Sequence, residues 1–117
     1  MDHANRIEHA TAFLNWLRTQ PPEETYSGYS PKLCALGQYA ASRGWHYIEE
    51  HVASSTYGYF DSAGVMHDFE QVFGVFAIAD IIHTKNTFGA LADRVEQWVR
   101  DAISNPEIGL VDTHPIG

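Results

Sequence analysis

The segment NTFGALADRVEQWVRDAIS, residues 86 to 104, constrains the fold more than any other part of the chain. Thr87 can cap a helix that runs to about Ser104, with Phe88, Leu91, Val95, Trp98 and Ala102 on one face. A helix with one apolar stripe has to bury it against another element, so the rest of the chain must supply a second layer. Glu96 and Arg100 are ordered for an i,i+4 pair on the wet side. Asn105-Pro106 stops the helix.

A second helix to meet it is predicted over residues 3 to 19. Ile7, Ala10, Leu14 and Leu17 recur at helical spacing, with Phe13 beside them and Trp16 on an adjoining flank. Asp2 can cap it and Pro21-Pro22 ends it. After the loop PPEETYSGYS, Ser30-Pro31 reads as the N-cap and first position of another helix, whose face holds Leu33, Leu36, Gly37 and Ala40. Gly44 after Arg43 is its natural stop. WHYIEEHVA, 45 to 53, is readable as short helix or strand. TYGYFDSAGVMHDF offers two short runs about Asp61-Ser62-Ala63-Gly64, the pattern of a hairpin with a four-residue loop. FEQVFGVFAIADIIH, 69 to 83, is long enough for a buried helix, though its β-branched and aromatic residues also suit a strand.

These elements predict a mainly α fold, with α+β as the alternative. It has about four helices and a short hairpin near 56–68, in one domain over 1–104 followed by a tail over 105–117. At 117 residues, 44% of them hydrophobic, the chain can bury a core without disulfides or a structural metal. No apolar run nears the ~20 residues of a membrane span. The polar, acidic start MDHANRIEHA leads us to expect neither a secretory signal nor a transit peptide. With a single cysteine the expected compartment is a reducing cytoplasm.

Charge narrows the partners. Lys and Arg total 7 against 15 Asp and Glu, a net charge of −8 with histidine neutral. Such a surface repels phosphate backbones, so direct nucleic-acid binding is disfavoured and docking on a basic protein surface is favoured.

Signs of chemistry are sparse. Placed near a helix start, Cys34 could be an activated thiolate, with His46, His51, His67 or His83 as base. Set among Leu33 and Leu36 it reads better as a small packing residue. HYIEEH, 46 to 51, has its histidines five apart, about 140° round a helix, so they do not share a face as metal ligands should. His46 with Glu50 and Asp80 with His83 are the spacings that could; we assign no metal and no cofactor. Neither a phosphate loop nor a Gly-x-Ser-x-Gly elbow occurs. The aromatic residues are more informative. Tyr26, Tyr29, Trp45, Tyr47, Tyr57 and Tyr59 are interleaved with acids including Glu49, Glu50 and Asp61, and so outline an acidic, tyrosine-rich binding face. The alternative is that many of these rings close a small core from its edges.

CALGQYA (34 to 40) and NTFGALADRVE (86 to 96) resemble a family of small bacteriophage, prophage and proteobacterial proteins. In these a CAL-x-QY helix precedes a TFGAL-A-x-R helix. The similarity spans about residues 11 to 100. No activity is assigned to that family, so the resemblance implies a setting and no catalytic residue. Small acidic proteins of mobile elements often act by occupying a host complex, as anti-CRISPR proteins do. The expected function is therefore a non-enzymatic inhibitor, bound through its acidic aromatic face to a basic surface of a larger host protein or nucleoprotein complex. The alternatives are a pocket protein that sequesters or hydrolyses a small signalling nucleotide, and a cysteine or metal enzyme built on Cys34 and histidines.

Overall fold

The structure is a computed structural model that describes residues 3–26, 34–47, 58–73 and 87–104. Helix dominates the described residues, with one small antiparallel sheet. Helix α1 is His3–Leu17 and buries Ala10, Phe13, Leu14 and Leu17, the stripe its spacing predicts. Two turn bonds, Thr19 N–H to the Trp16 carbonyl at 2.9 Å and Gln20 N–H to the Leu17 carbonyl at 3.1 Å, close its end before Pro21. Asp2, Ser30, Pro31 and the 105–117 tail lie outside the described residues.

Helix α2, Ala35–Ser42, starts later than the Ser30-Pro31 signal suggests. Cys34 is the N-cap, with extended backbone (φ −68°, ψ 173°) and a sulfur that accepts the Gly37 N–H at 3.4 Å. The other end follows the expected glycine stop. Gly44 takes φ +76°, its N–H donates to Ala41, and the Trp45 N–H donates to Ala40. This is the reversal that leaves helix carbonyls satisfied and turns the chain sharply.

Strands β1 (His46–Tyr47), β2 (Gly58–Phe60) and β3 (Met66–Asp68) pair antiparallel in that order. Within the 45–53 segment the described part is thus strand. The β2–β3 hairpin turns on Asp61, whose Oδ1 accepts the Ala63 and Val65 N–H groups at 2.9 Å, with Gly64 at φ +80°. Helix α3, Phe69–Phe73, follows directly; the remainder of the 69–83 run, including Asp80 and His83, lies outside the described residues.

Helix α4, Phe88–Ser104, buries Phe88, Leu91, Ala92, Val95, Val99 and Ala102. Trp98, expected on that face, is only partly buried and sits at its edge, 6.2 Å from the Phe73 ring. α4 lies antiparallel on α1. His3 Nε2 donates to the Ala102 carbonyl at 2.9 Å at one end, and Arg18 reaches Asp93 at 2.9 Å and Glu96 at 3.4 Å at the other.

The first N–H groups of a helix have no partner inside it. In α4 they are supplied by the loop after α1. Phe88 N–H donates to the Glu24 carbonyl at 2.9 Å and Gly89 N–H to the Pro22 carbonyl at 3.0 Å, while Ala90 N–H takes Thr87 Oγ1 at 3.2 Å. A Thr25–Thr87 bridge extends the seam and draws the Tyr26 ring onto Phe88. Only glycine fits the second position, because a Cβ on Gly89 would lie 2.9 Å from the Pro22 carbonyl oxygen and 3.0 Å from its Cβ. Gly89→Ala should therefore lower stability by about 1–3 kcal/mol in urea unfolding, the usual cost of overpacking. An unchanged midpoint would show that the seam yields freely.

Candidate functional site

The sharp reversal at Gly44 sets Arg43 and Trp45 side by side at the end of α2, and the site grows from that pair. The Arg43 guanidinium lies 5.3 Å from the Trp45 ring centroid and 5.7 Å from that of Tyr39, within cation–π range of both. Trp45 in turn stacks on His67 of β3, centroids 4.0 Å apart and planes 4° from parallel. His67 pairs with Tyr59 across the hairpin, so it shares that residue's face of the sheet and turns toward the helices. His9 of α1 meets its edge at 6.1 Å.

Asp61 holds this arrangement from below. One carboxylate oxygen closes the hairpin turn, and the other meets His67 Nε2 at 2.9 Å. The histidine contact, with help from the turn N–H groups, keeps the Asp61 carboxyl below its ordinary value. The pKa of His9 is lowered by partial burial, then by the nearby charge of His67. Glu8 opposes that shift and Arg43 adds to it.

Beside this corner an open cleft of about 440 Å³ runs between α1 and α2, lined by Ala12, Asn15, Trp16, Thr19, Tyr39, Ser42 and Arg43. There Trp16 packs on Tyr39, ring centroids 5.7 Å apart and planes 58° from parallel, and both touch Phe13; Tyr39 is buried, so Trp16 is the partly accessible ring.

The residues named from sequence divide three ways. Trp45 and Asp61 are in the site, both partly accessible. Tyr26 and Tyr59 are core residues, 6% and 1% exposed, because the α4 seam and the sheet draw their rings inward onto Phe88 and Phe69. They cannot present the surface that their loop positions suggested. Tyr29, Glu49, Glu50 and Tyr57 lie outside the described residues, as does the side chain of Tyr47. Sequence reasoning missed His9, Trp16, Tyr39, Arg43 and His67 as a group. The hairpin loop held one usable signal, because pairing Phe60 with Met66 necessarily brings positions 61 and 67 close together.

Cys34 has no accessible surface, and burial pushes its thiol pKa up despite lowering contributions from backbone N–H groups and the Tyr59 hydroxyl. It is a capping and packing group, not an activated thiolate. Among the described residues no cluster of three His, Cys, Asp or Glu side chains is placed to hold a metal ion. No described helix is long and apolar enough to cross a membrane. No protein-family model, curated protein or solved structure matches the chain.

Two outcomes follow. Cys34 should resist thiol reagents in native buffer and react at once in denaturant; fast native labelling below pH 8 would restore the thiolate. His9 binds its proton more weakly when folded, so between its folded pKa and the unfolded value of 6.5 the unfolded chain holds more protons. Stability should be full above pH 6.5 and fall as the pH drops through the folded value. His9→Gln should flatten that slope in urea titrations across pH, and an unaltered slope would assign it to another group.

Proposed function

We propose that the protein is a non-enzymatic interaction module that docks on a basic surface of a larger protein or nucleoprotein complex. The observation that carries this reading is the Arg43–Trp45–His67 stack. Tryptophan, tyrosine and arginine are the residues that dominate binding hot spots, chiefly when they are rigid before contact. Here Trp45 is partly exposed and fixed by His67 at 4.0 Å, with Arg43 packed against its ring.

The charge pattern supports a basic partner. Among the described side chains, Glu8, Glu23, Glu24, Asp61, Asp93, Glu96 and Asp101 stand against Arg6, Arg18, Arg43, Arg94 and Arg100, close to balance. Most of the −8 surplus is therefore carried elsewhere, and Glu49 and Glu50 follow Trp45 closely along the chain. A hot spot followed closely in sequence by unbalanced acids suits a partner surface rich in Lys and Arg. In keeping with the phage-type resemblance, that partner is a host complex, and occupying its nucleic-acid site would inhibit it. The acidic tyrosine-rich face is thereby re-centred on Trp45, with Tyr26 and Tyr59 as its structural support.

The test is to photo-cross-link from position 46 in host extract and then measure the recovered partner's affinity directly. Binding should weaken from about 50 mM to about 500 mM salt, mainly through the on-rate. Trp45→Ala should cost about 2 kcal/mol or more, and Glu49→Lys with Glu50→Lys should lower the on-rate further. Affinity indifferent to salt and to all three substitutions would end the proposal.

A further inference from the structure

Arg43 is held in a different way from Arg18 and Arg100. Those two are engaged by carboxylates at 2.9 to 3.4 Å. Among the described residues Arg43 is held by rings instead, 5.3 Å from the Trp45 centroid and 5.7 Å from that of Tyr39, whose hydroxyl accepts from it. From this contact we infer that the Trp45 ring is a receptor for an arginine side chain of the docking partner, and that Arg43 is the resident cation which that side chain displaces. The inference rests on the docking reading of the same residues and names the chemistry of its central contact.

An indole face attracts a cation through its electron-rich ring, and a planar guanidinium can lie flat on it. His67, parallel to Trp45 at 4.0 Å, covers one face of the ring and holds it still, which leaves the other for a cation. Tyr39 is 3% exposed, so its part is the hydroxyl rather than an open ring. The charges nearby favour a cation as well. Asp61 is kept ionised, chiefly by its bond to His67, and Glu8 acts on His9 from α1. His9 adds no positive charge at neutral pH, because partial burial and then the charge of His67 weaken its hold on a proton. With Arg43 swung out, the fixed charges beside the stack, among the described residues, are the two carboxylates.

The exchange is of like for like at the ring. An incoming guanidinium takes over the indole face and the Tyr39 hydroxyl, while Arg43, at an exposed position, returns to water. What is gained is a partner cation placed near two acids on a chain of net charge −8. A lysine would feel the same field, but its compact, strongly hydrated ammonium cannot stack flat. The site therefore prefers arginine. Until an arginine arrives, Arg43 keeps the Trp45 ring covered.

The test titrates the full chain with hexa-arginine and hexa-lysine peptides, followed by calorimetry and by the NMR signal of the Trp45 indole N–H. Hexa-arginine should bind saturably, move the Trp45 signal, and bind at least about threefold tighter than hexa-lysine. Arg43→Gln, which vacates the ring, should tighten hexa-arginine binding about two- to fivefold more than the charge-matched Arg100→Gln does, with an unchanged unfolding midpoint. That extra gain should vanish in Trp45→Leu and shrink in the more conservative Trp45→Phe. No saturable binding, an unmoved Trp45 signal, equal affinity for the two peptides, or an Arg43→Gln gain no larger than that of Arg100→Gln would each overturn the inference. A host partner that requires Trp45 but binds Arg43→Gln more weakly than wild type would also overturn the displacement, while leaving docking through Trp45 intact.

Discussion

The fold rests on the burial of one ring. Phe13 has no accessible surface and lies against Trp16 of its own helix, Tyr39 of α2, and Phe69 and Phe73 of α3, with centroids between 5.4 and 6.5 Å. Full burial of such a side chain contributes about 1.5–3 kcal/mol, and well-angled ring pairs add about 0.5–1.5 kcal/mol each. More important than the energy is the geometry. Phe13 fixes where Trp16 and Tyr39 stand, and through Tyr39 it fixes Arg43 and Trp45. The surface chemistry is therefore an outward extension of the core, one side chain removed from it. That is why the site is braced directly by the core.

How much of this was legible from the residues depended on range. The apolar stripes of α1 and α4, the Gly44 stop and the Asp61–Gly64 turn are local signals, and each reflects a backbone requirement within a few positions. The start of α2 misled because Ser-Pro is the stronger local cue, whereas cysteine seldom serves as a cap. Cys34 does so because its sulfur, already buried, is the acceptor nearest the Gly37 N–H. Tyr26 and Tyr59 misled for another reason. A tyrosine outside a helix is equally suited to surface and core until a partner fixes it: α4 pulls Tyr26 inward from more than sixty residues away, and the sheet sets Tyr59 on Phe69. The candidate site was opaque on the same ground. His9, the Arg43–Trp45 pair and His67 come from three separated stretches, and no spacing rule joins them.

Two electrostatic scales coexist on the molecule. At long range the chain is acidic and attracts positively charged surfaces. At short range a single guanidinium, Arg43, stands near His9 and His67, with Asp61 and Glu8 as the neighbouring acids. Within a Debye length of ~8 Å at physiological salt the local pattern governs contact, and beyond it only the net field remains.

The antiparallel pairing of α1 with α4 has a consequence for how the molecule is made. Leu17 closes the first helix and Phe88 opens the last, so at ~5–20 residues per second the ribosome takes roughly 4 to 14 s to deliver the partner. For that interval the described elements that can cover the apolar face of α1 are α2 and α3. The nascent chain is consequently exposed to aggregation and to chaperones until α4 emerges, and the seam at Pro22 and Gly89 is among the late contacts to form.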